Sequence, residues 1–309
     1  MNRFFKINLI ACILIVCILA IIPFIRNTEK YDLDDAARLH APGKFVTLSN
    51  GITHYQIAGP AEGQTIILIH GFSVPMYIYD STFNVLSDAG FQVLRFDLWG
   101  RGYSSRPKVS YDLKLFIRQV KELIDSLNLS PPVDLIGVSM GGTIVAGFVN
   151  EYPQLVRNVV LIDPGSVKKD ITPLNIPILG DYLAAAFWIP ALPQSQLNDF
   201  YQPDRFQDWP IRFKEQMKYK GFRYAILTTA RNLLNQDYIS FFSKLNDRHV
   251  LLIWGSQDKN VPLSQSDTLR NLINPEFLLI DNAGHLPHFE QPSVVNGRLI
   301  EFLKHDHKK

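Results

Sequence analysis

A chain of 309 residues carrying 31 Lys and Arg against 29 Asp and Glu has a formal net charge of +2 with its signs interspersed. No basic stripe argues for nucleic acid and no acidic run argues for a solvating tail. The length admits one large α/β domain or two ordinary ones, with enough chain to bury a substantial core.

The chain opens on an apolar stretch. From Leu9 to Ile25 it is apolar without a break, with Arg3 and Lys6 before it and Arg26 and Lys30 after it. A cleaved signal has a shorter apolar region, of about 7–15 residues, and a small-x-small cleavage site. Ala20-Ile21-Ile22 is no such site, and the stretch is close to the roughly 17–25 residues that span a bilayer. The reading is an N-terminal transmembrane anchor over residues 1–30, with the catalytic domain on the exported side. Pro23 keeps the alternative of a cleaved, secreted form open. Both cysteines, Cys12 and Cys17, lie in this stretch, so the folded domain has no disulfide and no thiol metal site.

Residues 31–42 read as a linker. Phe45–Leu48 and Thr53–Ile57 then form short strands around Asn50-Gly51, a strong hairpin signal. Thr65–Ile69 is a continuous apolar strand of the buried kind and ends at His70-Gly71-Phe72. A helix near Ser81–Asp88 and a strand over Phe91–Phe96 follow, then an amphipathic helix over Tyr111–Leu127. Next comes Val133 to Gly142, where an apolar strand stops at Gly137 and helix-compatible residues resume at Met140. Ser139 sits between, in a Gly-x-Ser-x-Gly pattern suited to a strained strand-to-helix turn that exposes its hydroxyl at a helix N-terminus.

After the helix to Tyr152 and the strand Val159–Ile162, the βα rhythm breaks from 166 to 247 into helical pieces between prolines, rich in Phe, Trp and Tyr. It resumes with the strand Val250–Trp254, a helix over Pro262–Leu272, the strand Phe277–Ile280 and a helix over Pro292–Leu303; 305–309 reads as a solvated tail. The fold class is α/β: a doubly wound, mostly parallel sheet with helices on both faces, over 43–165 and 248–304, interrupted by a helical cap over 166–247.

In such a sheet the chemistry gathers at the carboxyl ends of the strands. His70-Gly71-Phe72, Ser139, Asp258 and His285 each follow one, and serine, acid, histidine is the chain order associated with this elbow.

On these residues the chain resembles the α/β-hydrolase fold superfamily from about residue 43 to 304. The carrying motifs are His70-Gly71-Phe72, Asp97 to Ser104, Gly137 to Gly142, Gly255 to Pro262 and Ala283-Gly284-His285. The resemblance implies Ser139 as nucleophile, His285 as its base and Asp258 as the acid that orients the imidazole. It implies an oxyanion hole made of the backbone N–H groups of Phe72 and Met140. His288 is a rival base and Asp163 a rival acid, while His70 and Asp97 read as supports for their loops. No cofactor and no metal is implied.

Serine at the elbow argues against haloalkane dehalogenases and epoxide hydrolases, which resemble this chain elsewhere but use aspartate there. Phe187, Trp188, Phe200, Tyr201, Phe206, Trp209, Phe222 and Tyr224 suit an apolar substrate under a lid. With the anchor, they point to a membrane-tethered serine hydrolase of lipid or medium-chain acyl esters, broadly resembling monoacylglycerol lipase-type relatives. A carbon–carbon bond hydrolase of the meta-cleavage-product type and a catalytically inactive binding scaffold are the alternatives.

Overall fold

The computed structural model describes residues 3–305, so the last four residues of the tail lie outside the described residues. Eight strands form one sheet in the order β1-β2-β4-β3-β5-β6-β7-β8: β1 Lys44–Leu48, β2 Gly51–Ala58, β3 Thr65–Ile69, β4 Gln92–Phe96, β5 Val133–Val138, β6 Val156–Ile162, β7 His249–Gly255 and β8 Glu276–Ile280. β2 runs antiparallel to β1 and β4, and the remaining pairs are parallel.

The helices in chain order begin with α1 Arg3–Ile25, α2 Asp35–Arg38, α3 Asp80–Asp88, α4 Leu113–Ser126 and α5 Met140–Glu151. Between β6 and β7 come α6 Leu179–Leu183, α7 Ile189–Ser195, α8 Trp209–Met217, α9 Phe222–Thr229 and α10 Ile239–Phe242. The chain closes with α11 Ser264–Ile273, α12 Pro287–Glu290 and α13 Pro292–Lys304.

The apolar strands are continuous because both faces of the sheet are covered. Successive side chains point to opposite faces, so on β3 Ile67 and Ile69 join the core under α4, α5 and α11, while Ile66 and Leu68 join the core under α3 and α13. Helix α4 forms because its apolar residues fall on one stripe, Leu113, Phe116, Ile117, Val120, Leu123 and Ile124, all buried. Asp112 caps its N-terminus by accepting the Leu115 N–H.

The segment 26–42 lies against the folded domain. Lys30 and Tyr31 donate their backbone N–H groups to the Lys218 carbonyl at 2.8 and 3.0 Å. Further on, the Arg38 guanidinium donates to the Tyr103 carbonyl at 3.2 Å. Among the described residues one helix, α1, is long and apolar enough to cross a membrane: Ile7–Ile25 has a mean hydropathy of 3.0 and holds no buried residue.

Candidate active site

Four neighbouring parallel strands carry the candidate residues at their carboxyl ends, and β3 brings in a fifth loop beside the first. Ser139 follows β5, Asp163 follows β6, Asp258 follows β7 and His285 follows β8. The order β3-β5 places the His70-Gly71-Phe72 loop next to the serine: a Cβ built on Gly71 would lie 3.3 Å from Ser139 Cβ.

Ser139 has φ 54° and ψ −121°, a conformation that L residues avoid and that a tight turn must impose. The turn is held by the Ser139 N–H on the Ile162 carbonyl at 2.9 Å and by the Gly142 and Gly165 N–H groups on the Ser139 carbonyl at 2.9 and 3.0 Å. Its glycines are steric necessities. A Cβ at Gly137 would collide with the Gly141 carbonyl, and one at Gly141 with the Ile69 carbonyl. The strain keeps the hydroxyl on the cavity side, at the N-terminus of α5.

His285 Nδ1 and Asp258 Oδ2 are 2.6 Å apart in a buried contact. Asp258 also accepts the N–H groups of Asn260 and Val261 at 2.7 and 2.9 Å. Burial opposes its charge, but His285 and these donors hold its carboxyl below the ordinary range. In turn burial pulls the His285 pKa down, and the charge and hydrogen bond of Asp258, with help from Asp199, raise it to a net value above the usual histidine range.

Asp163 is fully buried, with Oδ1 accepting the Gly255 N–H at 3.0 Å. It does not hold His285. Burial, then the charge of Asp258, push its pKa well above the ordinary carboxyl value, so its neutral form is favoured. Ligand atoms of Asp163, Asp258 and His285 lie within 4.8 Å of one another, a spacing that could suit a cation. Asp258 is already committed to His285 and two N–H groups, so the donor set does not fit one. His288 is buried against Tyr79, 5.1 Å between ring centroids, and burial pulls its pKa down to about 3. It does not line the cavity.

The loop carrying Phe72 is fixed from behind. His70 Nε2 accepts the Leu98 N–H at 2.9 Å and its Nδ1 faces the Gly71 carbonyl at 2.8 Å. Burial holds this imidazole neutral, with a pKa near 4. The Arg101 guanidinium, wholly buried, donates to the Phe72 carbonyl at 2.8 Å and to Thr229 Oγ1 of α9 at 2.8 Å. Asp97 accepts the Met76 and Tyr103 N–H groups at 3.0 and 2.9 Å, which ties down the loop after β4.

One cavity of about 950 Å³ takes in Ser139, Met140, Phe72 and His285 and is roofed by the helical insertion. Of the eight aromatic residues read as a group suited to an apolar substrate, Phe187 and Trp188 line it. Phe200, Trp209 and Phe222 are buried away from it: Phe200 stacks on Phe206 at 4.1 Å, Trp209 packs on Tyr77 and Phe289, and Phe222 packs on Phe213. The apolar wall comes instead from aliphatic residues such as Leu174, Leu183, Leu192 and Leu233.

Two residues carry no motif and contribute to the site. Asp199, from the insertion, accepts from the Asn260 side chain, and its carbonyl accepts the His285 N–H at 2.7 Å. Desolvation lifts its carboxyl to about 6. Glu290 accepts the N–H groups of Gly284 and Tyr201 at 2.6 and 2.8 Å, clamping the histidine loop to the insertion.

This strained serine at an α/β switch point, with a buried acid–histidine pair beside it, matches the model of the alpha/beta hydrolase fold over residues 64–292. The chain belongs to the α/β hydrolase family. It is 27% identical over 277 residues to the AB hydrolase superfamily protein YfhM of Bacillus subtilis, covering 83% of this chain and 96% of that one. To human epoxide hydrolase 4 it is 26% identical over 286 residues, covering 83% and 76%. The solved structure of the meta-cleavage product hydrolase CumD from Pseudomonas fluorescens superposes with a TM-score of 0.71 at 24% identity, covering 84% and 97%, which shows the fold alone.

Proposed function

We propose that this hydrolase cleaves carboxylic esters of lipid or medium-chain acyl groups through an acyl-enzyme. The observation that carries the reading is the left-handed Ser139 in the same cavity as His285, which is paired with Asp258 behind it. In this reading Ser139 Oγ attacks the acyl carbon as its proton passes to His285. The oxyanion is met by the N–H groups of Phe72 and Met140, each worth roughly 10²–10³ in rate. Collapse breaks the C–O bond, and the imidazolium returns its proton to the departing alcohol. Water then adds to the acyl-enzyme with the same base, releasing the acid and restoring Ser139. No metal or cofactor enters these steps.

The aliphatic cavity wall and the apolar helix α1 support an acyl substrate at a membrane, with α1 as the anchor and the helical insertion as a cap. Fluorophosphonate labelling of wild type beside Ser139→Ala tests the nucleophile, and a chain-length series of esters tests the class. Labelling of wild type alone, with cleavage rising with acyl length, is the expected result. Correctly folded wild type that neither labels nor cleaves any ester overturns it.

Relatives favour one second reading. A 2-hydroxy-6-oxo-6-(2'-aminophenyl)hexa-2,4-dienoic acid hydrolase of Metapseudomonas resinovorans is 24% identical over 269 residues. Carbon–carbon cleavage of such a dienoate with no ester turnover would move the assignment there.

A further inference from the structure

Helix α1 contains Pro23, which has no N–H and leaves the carbonyl four residues earlier, that of Leu19, without its helical partner. In hydrocarbon such a carbonyl is costly unless another donor reaches it. Tyr182 of α6 does: its hydroxyl donates to the Leu19 carbonyl at 2.9 Å. Beyond the end of α1, Arg26 donates to the Ala186 carbonyl at 2.8 Å, and its guanidinium lies 5.9 Å from the centre of the Phe187 ring. The last turns of α1 are therefore joined to one edge of the cap.

That same edge exposes large apolar side chains. Ile176, Ile178, Leu179 and Phe187 are 44, 85, 46 and 44% exposed. Ile178 holds its side chain out at φ 64°, a conformation costly for a β-branched residue. Phe187 also lines the catalytic cavity, so this rim and the cavity wall share a residue.

We propose that this rim docks into the bilayer that holds α1, so that the cavity opens toward lipid. The inference rests on the anchor reading above. Its depth follows from the Tyr182–Leu19 contact. Leu19 lies about 9 Å of helix axis before Ile25, at about 1.5 Å per residue. A rim joined to α1 at that level reaches the boundary between headgroups and acyl chains, the roughly 5–10 Å depth at which interfacial apolar faces lie. Tyr182, Phe187 and Trp188 then occupy the zone where aromatic rings are favoured.

The experiment uses the full chain in phosphatidylcholine nanodiscs. In a Cys12→Ser, Cys17→Ser background, Ile178→Cys or Phe187→Cys carries a fluorophore, and doxyl-labelled lipids quench it from shallow or deep acyl positions. Glu62→Cys, exposed on the loop before β3 at the opposite end of the sheet, is the reference. Native Cys17, in a Cys12→Ser chain, reports the anchor. The expected result is quenching at 178 and 187 several-fold above that at 62, stronger from the shallow position, with Cys17 quenched as well. Quenching at Cys17 but none above reference at 178 and 187 overturns the docking and leaves the anchor standing. No quenching at Cys17 overturns both. Fluorophosphonate labelling of the same nanodiscs reads the hydrolase activity separately.

Discussion

Asp163 and Asp258 leave adjacent strands, β6 and β7, and converge on one buried spot, yet only Asp258 holds His285. Two carboxylates that close disfavour each other's ionisation: burial and the neighbouring charge raise the Asp163 pKa, while His285 and two backbone N–H groups lower that of Asp258. A second carboxyl this close to the acid–histidine pair can take over its charge once Asp258 is neutralised. Asp258→Asn should therefore lose less than the roughly 10⁴-fold in kcat that follows loss of a triad acid. Adding Asp163→Asn should remove the remainder, by at least about tenfold. Ester hydrolysis by the single and double variants decides it, and equal rates would show that Asp163 gives no support.

In the proposed mechanism His285 must be neutral to accept the proton of Ser139. Because Asp258 and Asp199 raise the His285 pKa, kcat/KM should fall on the acid side at a pH above the ordinary histidine value of 6.5. Asp199→Asn removes one of the two negative charges that favour the imidazolium. The acid limb should then move to lower pH, with the plateau rate little changed. A pH–rate profile checks the sign, and a limb that stays in place would mean that Asp199 does not act on His285.

The strands and the site loops were legible because both faces of the sheet are covered and each loop carries short, chemically constrained residues. Thr65–Ile69 and the start of α5 at Met140 fall where the sequence puts them, and the other core strand ends agree to within a few residues. The insertion was not legible in the same way. Two π-helical turns, Ala184–Trp188 and Ala230–Leu234, shift the phase of its helices, and a 3.6-residue pattern does not survive such a shift. Asp199 and Arg101 act through contacts more than 80 residues away in sequence or wholly within the core, which no local pattern encodes. The aromatic residues divide for a simple reason: a large ring packs the insertion and its seam with the sheet domain as readily as it lines a pocket, and only Phe187 and Trp188 of the eight do the latter.

Away from the cavity, His54 and Asp97 form a buried pair with Nδ1 and Oδ2 2.7 Å apart, and His54 Nε2 faces the Pro42 carbonyl at 2.6 Å. An ionised carboxylate and a carbonyl both accept, so the arrangement favours the doubly protonated ring. Burial opposes this charge, but Asp97 and then Pro42 raise the pKa above its ordinary value. The stability it contributes is full below pH 6.5 and is lost as pH rises through the raised folded value. Asp97→Asn should cost about 3–5 kcal/mol, as breaking a buried ion pair does. It should also flatten the alkaline loss of Tm, and a Tm–pH series of both proteins measures this.

Arg101 offers the sharpest separation of positioning from folding. Its guanidinium spans from the Phe72 carbonyl to Thr229 with no carboxylate paired to it among the described residues, and burial pulls its pKa down to about 9. The Phe72 N–H is the proposed oxyanion donor, and the plane of the next peptide is set by this contact. Lysine keeps the charge but is a single point of donation that cannot bridge both partners. Arg101→Lys should therefore lower kcat by about ten- to a hundredfold, part of the roughly 10²–10³ that one oxyanion donor supplies, with KM little changed. Fluorophosphonate labelling should slow in proportion, since it uses the same hole. A fall in KM-dependent binding alone, or a loss of activity that tracks a loss of Tm, would instead make Arg101 a strut between cap and core with no part in shaping the site.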